Sequence, residues 1–181
     1  MRRIFVGLSR AHSTPSGHPA HQHPATCSTV IRPGIRGYSG SPDWLLTIEN
    51  LTTFHQAAKA LLPNRPGLVI YTAGMPSPTW GKAYANILMS LPDSTRILHW
   101  GDHDEGGFRV AARVAHFATT TGRHLEPWYM DASLWNERGD EAQAEQHRSM
   151  IRSAIRAGWA ELASTLKAII LEQEGLPIRL P

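Results

Sequence analysis

Between Trp44 and Met130 short apolar runs alternate with stretches of helical periodicity, and this alternation restricts the fold more than any other feature of the chain. Trp44-Leu45-Leu46-Thr47-Ile48, Leu68-Val69-Ile70-Tyr71 and Ile97-Leu98-His99-Trp100 are of strand type, and Leu125 to Met130 gives a fourth. Leu51, Phe54, Ala57, Ala58, Leu61 and Leu62 form a helical stripe after the first, ended by Pro63, Asn64 and Pro66-Gly67. Ala83, Ile87, Leu88 and Leu91 stripe a second helix, and Phe108, Val110, Ala111, Val114 and Ala115 a third. Strands apolar on both faces, separated by amphipathic helices, predict an α/β fold: about four parallel strands covered on both sides by helices. A polar loop is expected over 131–143, followed by C-terminal helix from about Ala144 to Gln173 with a bend at Gly158.

Residues 1–42 differ from the rest. They are rich in Ser, Pro, Gly and His and lack any apolar period, so they are expected to form a mostly disordered tail before a domain spanning 43–181. His12, His18, His21 and His23 lie there at irregular spacing, with no Cys or acidic partner to suggest a metal site. The tail holds five arginines and no acid. That leaves 13 of the 18 basic residues against all 15 acids from Asp43 onward, a net charge of about −2 rather than the +3 of the whole chain. Bulk charge therefore does not make the folded part a nucleic-acid binder. No apolar run reaches the roughly 18–20 residues of a membrane span. A single Cys27, and an N-terminus without a signal-peptide core, lead us to expect a reducing cytoplasm.

In parallel sheets, reactive groups gather beyond the carboxyl ends of the strands. The first strand runs into Glu49-Asn50, and the third into Gly101-Asp102-His103-Asp104-Glu105-Gly106-Gly107. Period-two geometry puts Asp102 and Asp104 on one side, with His103 turned away. If the two strands are neighbours, Glu49 faces that pair. Three converging carboxylates repel unless a cation offsets them, and hard oxygen ligands select Mg2+ or Mn2+. The glycines at 101, 106 and 107 permit a tight turn and close backbone approach. A structural explanation stands beside this one: Asp102, Asp104 and Glu49 could serve as helix caps. Helical spacing from Leu166 and Ile170 would turn Glu174 inward as a further ligand, unless the helix has already ended and Glu174 is solvated or paired with an arginine. His103 and Glu105 are expected at the surface, and His99 in a strand with its hydrogen bond satisfied. Gly74 and Ser77, in the loop after the second strand, could hold a phosphate or form only a tight connection. Arg109 and Arg113, one helical turn apart, could contact a DNA backbone.

A Glu after one strand and an Asp-x-Asp after a later one resembles the Toprim domain of topoisomerases, primases and related nucleases. ENLTTF at 49–54, GMPSP at 74–78, HWGDHDEGGFRVA at 99–111 and LEQEGLP at 171–177 resemble, more closely, the C-terminal domain of the Wadjet nuclease subunit JetD. That domain is similar in turn to the Toprim half of the topoisomerase VI A subunit. The resemblance covers roughly 43–181 and implies a Toprim (Rossmann-like) sheet with Glu49, Asp102 and Asp104 as catalytic metal ligands for Mg2+ or Mn2+. It also implies DNA cleavage alongside SMC-like Wadjet subunits. DNA, those subunits and a second copy of the chain are the partners to expect, and a membrane is not. Members of that family are much longer, with DNA- and partner-binding regions before the Toprim part. Residues 1–42 do not resemble those regions, so a truncated product, a remnant and a stand-alone module are all open.

Two other functions remain compatible with the residues. One is a catalytically silent assembly module. The other is a nucleotide or phosphate-ester hydrolase using the same acids, although Gly101 to Gly107 lack the Gly-Lys-Ser/Thr of an ATP-cradling loop. No tyrosine stands out as a nucleophile: Tyr38 falls in the tail, and Tyr71, Tyr84 and Tyr129 within or beside core elements.

Overall fold

A computed structural model describes residues 5–7, 41–61, 67–131 and 139–181. Five parallel strands form the main sheet: β1 (Phe5–Gly7), β2 (Trp44–Ile48), β3 (Gly67–Tyr71), β4 (Arg96–Trp100) and β5 (Glu126–Pro127), in the spatial order β1-β3-β2-β4-β5. The three expected strands of the centre are present at their expected places. The fourth shrinks to Glu126–Pro127, paired with Leu98 and His99. Phe5–Gly7 pairs with Val69–Tyr71, so the segment expected as a tail supplies an edge strand; its histidines, Cys27 and Tyr38 lie outside the described residues.

Helices α1 (Leu51–Ala60), α2 (Pro78–Ser90) and α3 (Glu105–Thr119) follow β2, β3 and β4. Each starts at a polar N-cap just beyond a strand. Asn50 accepts from the Thr53 amide at 3.1 Å, Ser77 from Trp80 at 3.1 Å, and Asp104 from Gly107 at 2.6 Å. Pro78 follows the Ser77 cap, where its missing N–H is harmless. Right-handed crossovers put α1 on one face of the sheet and α2 and α3 on the other, and α2 and α3 touch.

Strand centres and helix stripes meet in one core holding Leu45, Leu46, Ile70, Leu98, Trp100, Phe108, Val114 and Leu88. On α2 the expected Leu88 is buried, and Ile87 and Leu91 pack against the core partly buried, but the fully inward line is completed by Trp80 and Tyr84 rather than by Ala83; the larger aromatic faces win the interior. Trp80 stacks on Tyr84 at 4.8 Å between ring centres and donates from Nε1 to the Tyr71 carbonyl.

The C-terminal third departs most from expectation. Helix α4 (Ala144–Arg156) ends before Gly158, whose φ of +84° turns the chain. Helix α5 (Ala160–Thr165) is short, and the helix expected to reach Gln173 has ended by Leu166. Ile169–Ile170 instead form β7, antiparallel to β6 (Asp140–Glu141), which lies within the region expected as loop. The β-branched pair suits a strand better than a helix. Leu171 then exchanges both backbone hydrogen bonds with His103, at 2.9 and 3.2 Å, and a 3-10 turn follows at Gln173–Gly175. Among the described residues no helix is long and apolar enough to cross a membrane.

Candidate metal and phosphodiester site

The chain leaves β2 towards β3 on one side, and leaves β4 towards β5 on the other. β2 and β4 are hydrogen-bonded neighbours with Ile48 opposite Trp100, so the loops beyond them diverge and open a crevice. Glu49 and Gly101-Asp102 follow directly at this point. The Glu49 amide donates to the Trp100 carbonyl at 3.2 Å, carrying the ladder one residue past the strand end.

The acids lie close enough to feel one another. Burial, then the charges of Asp102 and Asp104, raise the Glu49 pKa to about 7, against a smaller pull from a hydrogen bond with the Asp102 backbone. Oxygen Oε2 of Glu49 is buried without a partner. Asp102 is raised to about 6, chiefly by burial; the Gln173 amide, donating to its Oδ1 at 2.7 Å, opposes this, and the charges of Glu172, Asp104 and Glu174 add to it. Asp104 is the N-cap of α3, as the capping alternative held, with Oδ1 on the Gly107 amide. The cap of α1 is Asn50 rather than Glu49. Among the described residues, no three His, Cys, Asp or Glu side chains are already arranged to hold a metal ion.

Glu174 is not inward on a helix: it is exposed on the 3-10 turn, where its Oε1 accepts from Asn50 Nδ2 at 2.6 Å. His103 is buried rather than at the surface, because the returning C-terminal chain packs against it; its Nδ1 lies 2.7 Å from the Ile169 carbonyl. Glu105, partly buried, accepts from Ser149 Oγ and so ties α3 to α4. The Gly74 loop borders the same sheet edge, with Ala73 and Gly74 at φ of +58° and +72°, and the Ser77 hydroxyl is committed to its cap. Arg109 is exposed on α3; Arg113 lies with its guanidinium 4.5 Å from the Phe117 ring centre. Tyr84 is fully buried, and burial pushes its hydroxyl pKa up.

His99 is fully buried behind the acids. The single Thr47 hydroxyl proton goes to the Leu98 carbonyl at 3.0 Å, so Nδ1 of His99, 2.9 Å away, must be the donor to Thr47. Nε2 is then a bare acceptor, and it has no partner. Burial depresses this histidine to about 3, which keeps it neutral. Gly101 separates the two orphans: a Cβ there would stand 2.8 Å from Glu49 Oε2 and 3.0 Å from His99 Nε2. Thr47→Val strands the His99 Nδ1–H in the core. It should destabilise the chain by about 1–3 kcal/mol, read as a lower denaturant midpoint at unchanged slope.

Three of the sequence segments quoted above, Glu49–Phe54, His99–Ala111 and Leu171–Pro177, are joined here by hydrogen bonds, and the fourth, Gly74–Pro78, follows β3, the strand next to β2. A family model described as Wadjet protein JetD, C-terminal, matches residues 14–180. The chain belongs to the JetD C-terminal family. No curated protein matches it. The match reaches well into the segment before Asp43, so it begins earlier than the 43–181 span expected for the resemblance.

Within this JetD-family crevice the residue that sequence reasoning passed over is Gln173. The LEQEG run drew attention to its glutamates, which are exposed, whereas the glutamine between them is completely buried. A polar residue flanked by acids carries no local sign of burial.

Proposed function

We propose that this chain is the metal-dependent DNA-cleaving part of a Wadjet-type system, acting on phosphodiesters beside SMC-like partner subunits. The observation that supports this most is Glu49: a buried carboxyl oxygen without a partner, facing Asp102 across adjacent strand ends, with both acids held above the ordinary carboxylate range. Such a pair is stable either protonated or beside a cation. The donor set is all hard oxygen, which fits Mg2+ or Mn2+. Glu49 and Asp102 would hold the ion. Asp104 has one oxygen on its helix cap and a second left to contribute. Side-chain rotation is required on binding, since no closed cage stands ready. A bound divalent ion would supply water activation and charge neutralisation at phosphate. The protein's own share is orientation: parallel strands set the acids side by side, and the exposed Arg109 offers a phosphate contact one turn along α3. With the folded part near neutral, most DNA affinity is assigned to partner subunits.

The test is a Mn2+ or Mg2+ titration with supercoiled plasmid, with and without partner subunits, comparing wild type, Glu49→Ala and Asp102→Ala. Metal-dependent nicking or linearisation, reduced at least about 100-fold in both variants, is expected. Equal cleavage by all three removes the site. The capping role of Asp104 favours a second reading, a silent assembly module. Metal binding with no cleavage, even with partners present, would select it.

A further inference from the structure

Gln173 is 0% exposed, which is unusual for a glutamine. Its carboxamide is used at both ends. Oε1 accepts from the Asn50 amide at 3.1 Å, and Nε2 donates to the Trp100 carbonyl at 3.1 Å. Its own backbone N–H donates to Asp102 Oδ1 at 2.7 Å. One residue thus reaches the turn after β2, the end of β4 and the carboxylate that follows β4, from 123, 73 and 71 positions away. The Trp100 carbonyl it meets also receives the Glu49 amide, so the same oxygen joins both strand ends to Gln173.

We propose that Gln173 is a positioning residue: it bridges the two strand ends and thereby sets the spacing and orientation of Glu49 and Asp102. The inference rests on the metal reading above. A carboxamide is the group required, because one planar end must accept while the other donates. Glutamate lacks the donor, leucine lacks both, and asparagine is one methylene too short to span the gap. Nothing in this role calls for Gln173 to touch a substrate or an ion. It acts through the residues it holds, as outer-shell partners of metal ligands do.

The experiment measures Mn2+ affinity of the purified full chain, from the paramagnetic resonance signal of free Mn2+, for wild type, Gln173→Leu and Gln173→Asn. Thermal unfolding is followed on the same samples. Binding is measured well below each unfolding midpoint, so loss of stability alone does not move it. Affinity about 10–100-fold weaker in the leucine variant, with the asparagine variant between, is the expected result. Should the leucine variant fail to fold, the asparagine variant carries the same comparison. Mn2+ binding by wild type that is undiminished in the folded variants overturns the positioning role and leaves the metal site standing. A wild-type chain that binds no Mn2+ at millimolar concentration overturns both.

Discussion

Alanine at Gly107 is expected to destabilise the folded chain by about 3 kcal/mol or more, while alanine at the adjacent Gly106 should be nearly neutral. The contrast follows from what each new Cβ would meet. At Gly107 it would stand 2.1 Å from the Asp102 carbonyl oxygen and 2.9 Å from two further Asp102 backbone atoms. Backbone cannot rotate aside, so either the start of α3 lifts or the Gly101–Asp104 turn opens. The Asp104 cap on the Gly107 amide is disturbed in both cases, and such a cap contributes about 1 kcal/mol. At Gly106 the nearest atom is Asp104 Oδ1 at 3.3 Å. That mild crowding is offset by alanine's advantage over glycine inside a helix, about 0.5–1 kcal/mol. Denaturant midpoints of the two variants decide the matter; equal midpoints would mean that the turn is looser than described. The glycines at 101, 106 and 107 were read from sequence as permitting a tight turn and close backbone approach; at Gly107 it is the tight turn that needs the glycine, the close approach being by the chain's own carbonyl.

In chelator-treated buffer, Glu49→Gln is expected to leave stability unchanged near pH 4 and to raise it by as much as about 3 kcal/mol at pH 8. The sign follows from the direction of the shift. Glu49 is raised from 4.5 to about 7 in the folded chain, so the folded state holds its proton more tightly than the unfolded one. Stability from that group is present in full below pH 4.5 and is lost as pH rises towards 7. The difference of about 2.5 pH units corresponds to roughly 3 kcal/mol, an upper figure for a group that is not completely buried. The wild-type profile alone would hide this. His99, depressed from 6.5 to about 3, gives the opposite slope, its stability falling as pH drops below 6.5. The Glu49 and His99 windows overlap between 4.5 and 6.5, Asp102, raised from 3.8 to about 6, adds to the Glu49 slope there, and only subtraction of the variant separates the Glu49 part. Added Mn2+ should stabilise wild type at pH 8 and leave the glutamine variant unmoved. Parallel pH profiles for the two proteins would show that Glu49 is ordinarily solvated.

The central sheet was legible because strands buried on both faces read as uninterrupted apolar runs, and the acids after Ile48 and Trp100 stand at the ends of those runs. Adjacency of the two strands was a condition at the sequence level; the pairing of Ile48 with Trp100 satisfies it. What escaped detection involves long separations. His103 was expected at the surface, and that it is buried beside Leu171, 68 positions later by number, has no local signature. The same is true of Gln173, whose neighbours in space are set by the sheet and not by its flanking residues. The stretch from Leu166 to Gln173 kept helical spacing by coincidence. Pairing of Ile169–Ile170 with Asp140–Glu141 overrode it, as tertiary context often overrides periodicity.

The bridge at Gln173 also has a bearing on synthesis. A ribosome makes Glu49 and Asp102 well before residue 173, and the parallel strands that carry them can pair before that residue has emerged. During that interval the two acids are held by the strand pairing and by the Glu49 amide on the Trp100 carbonyl, without the Gln173 bridge. On the positioning role proposed for Gln173, their final orientation is a property of the finished chain, and a product released at Thr165 would have the sheet and the acids but lack the bridge.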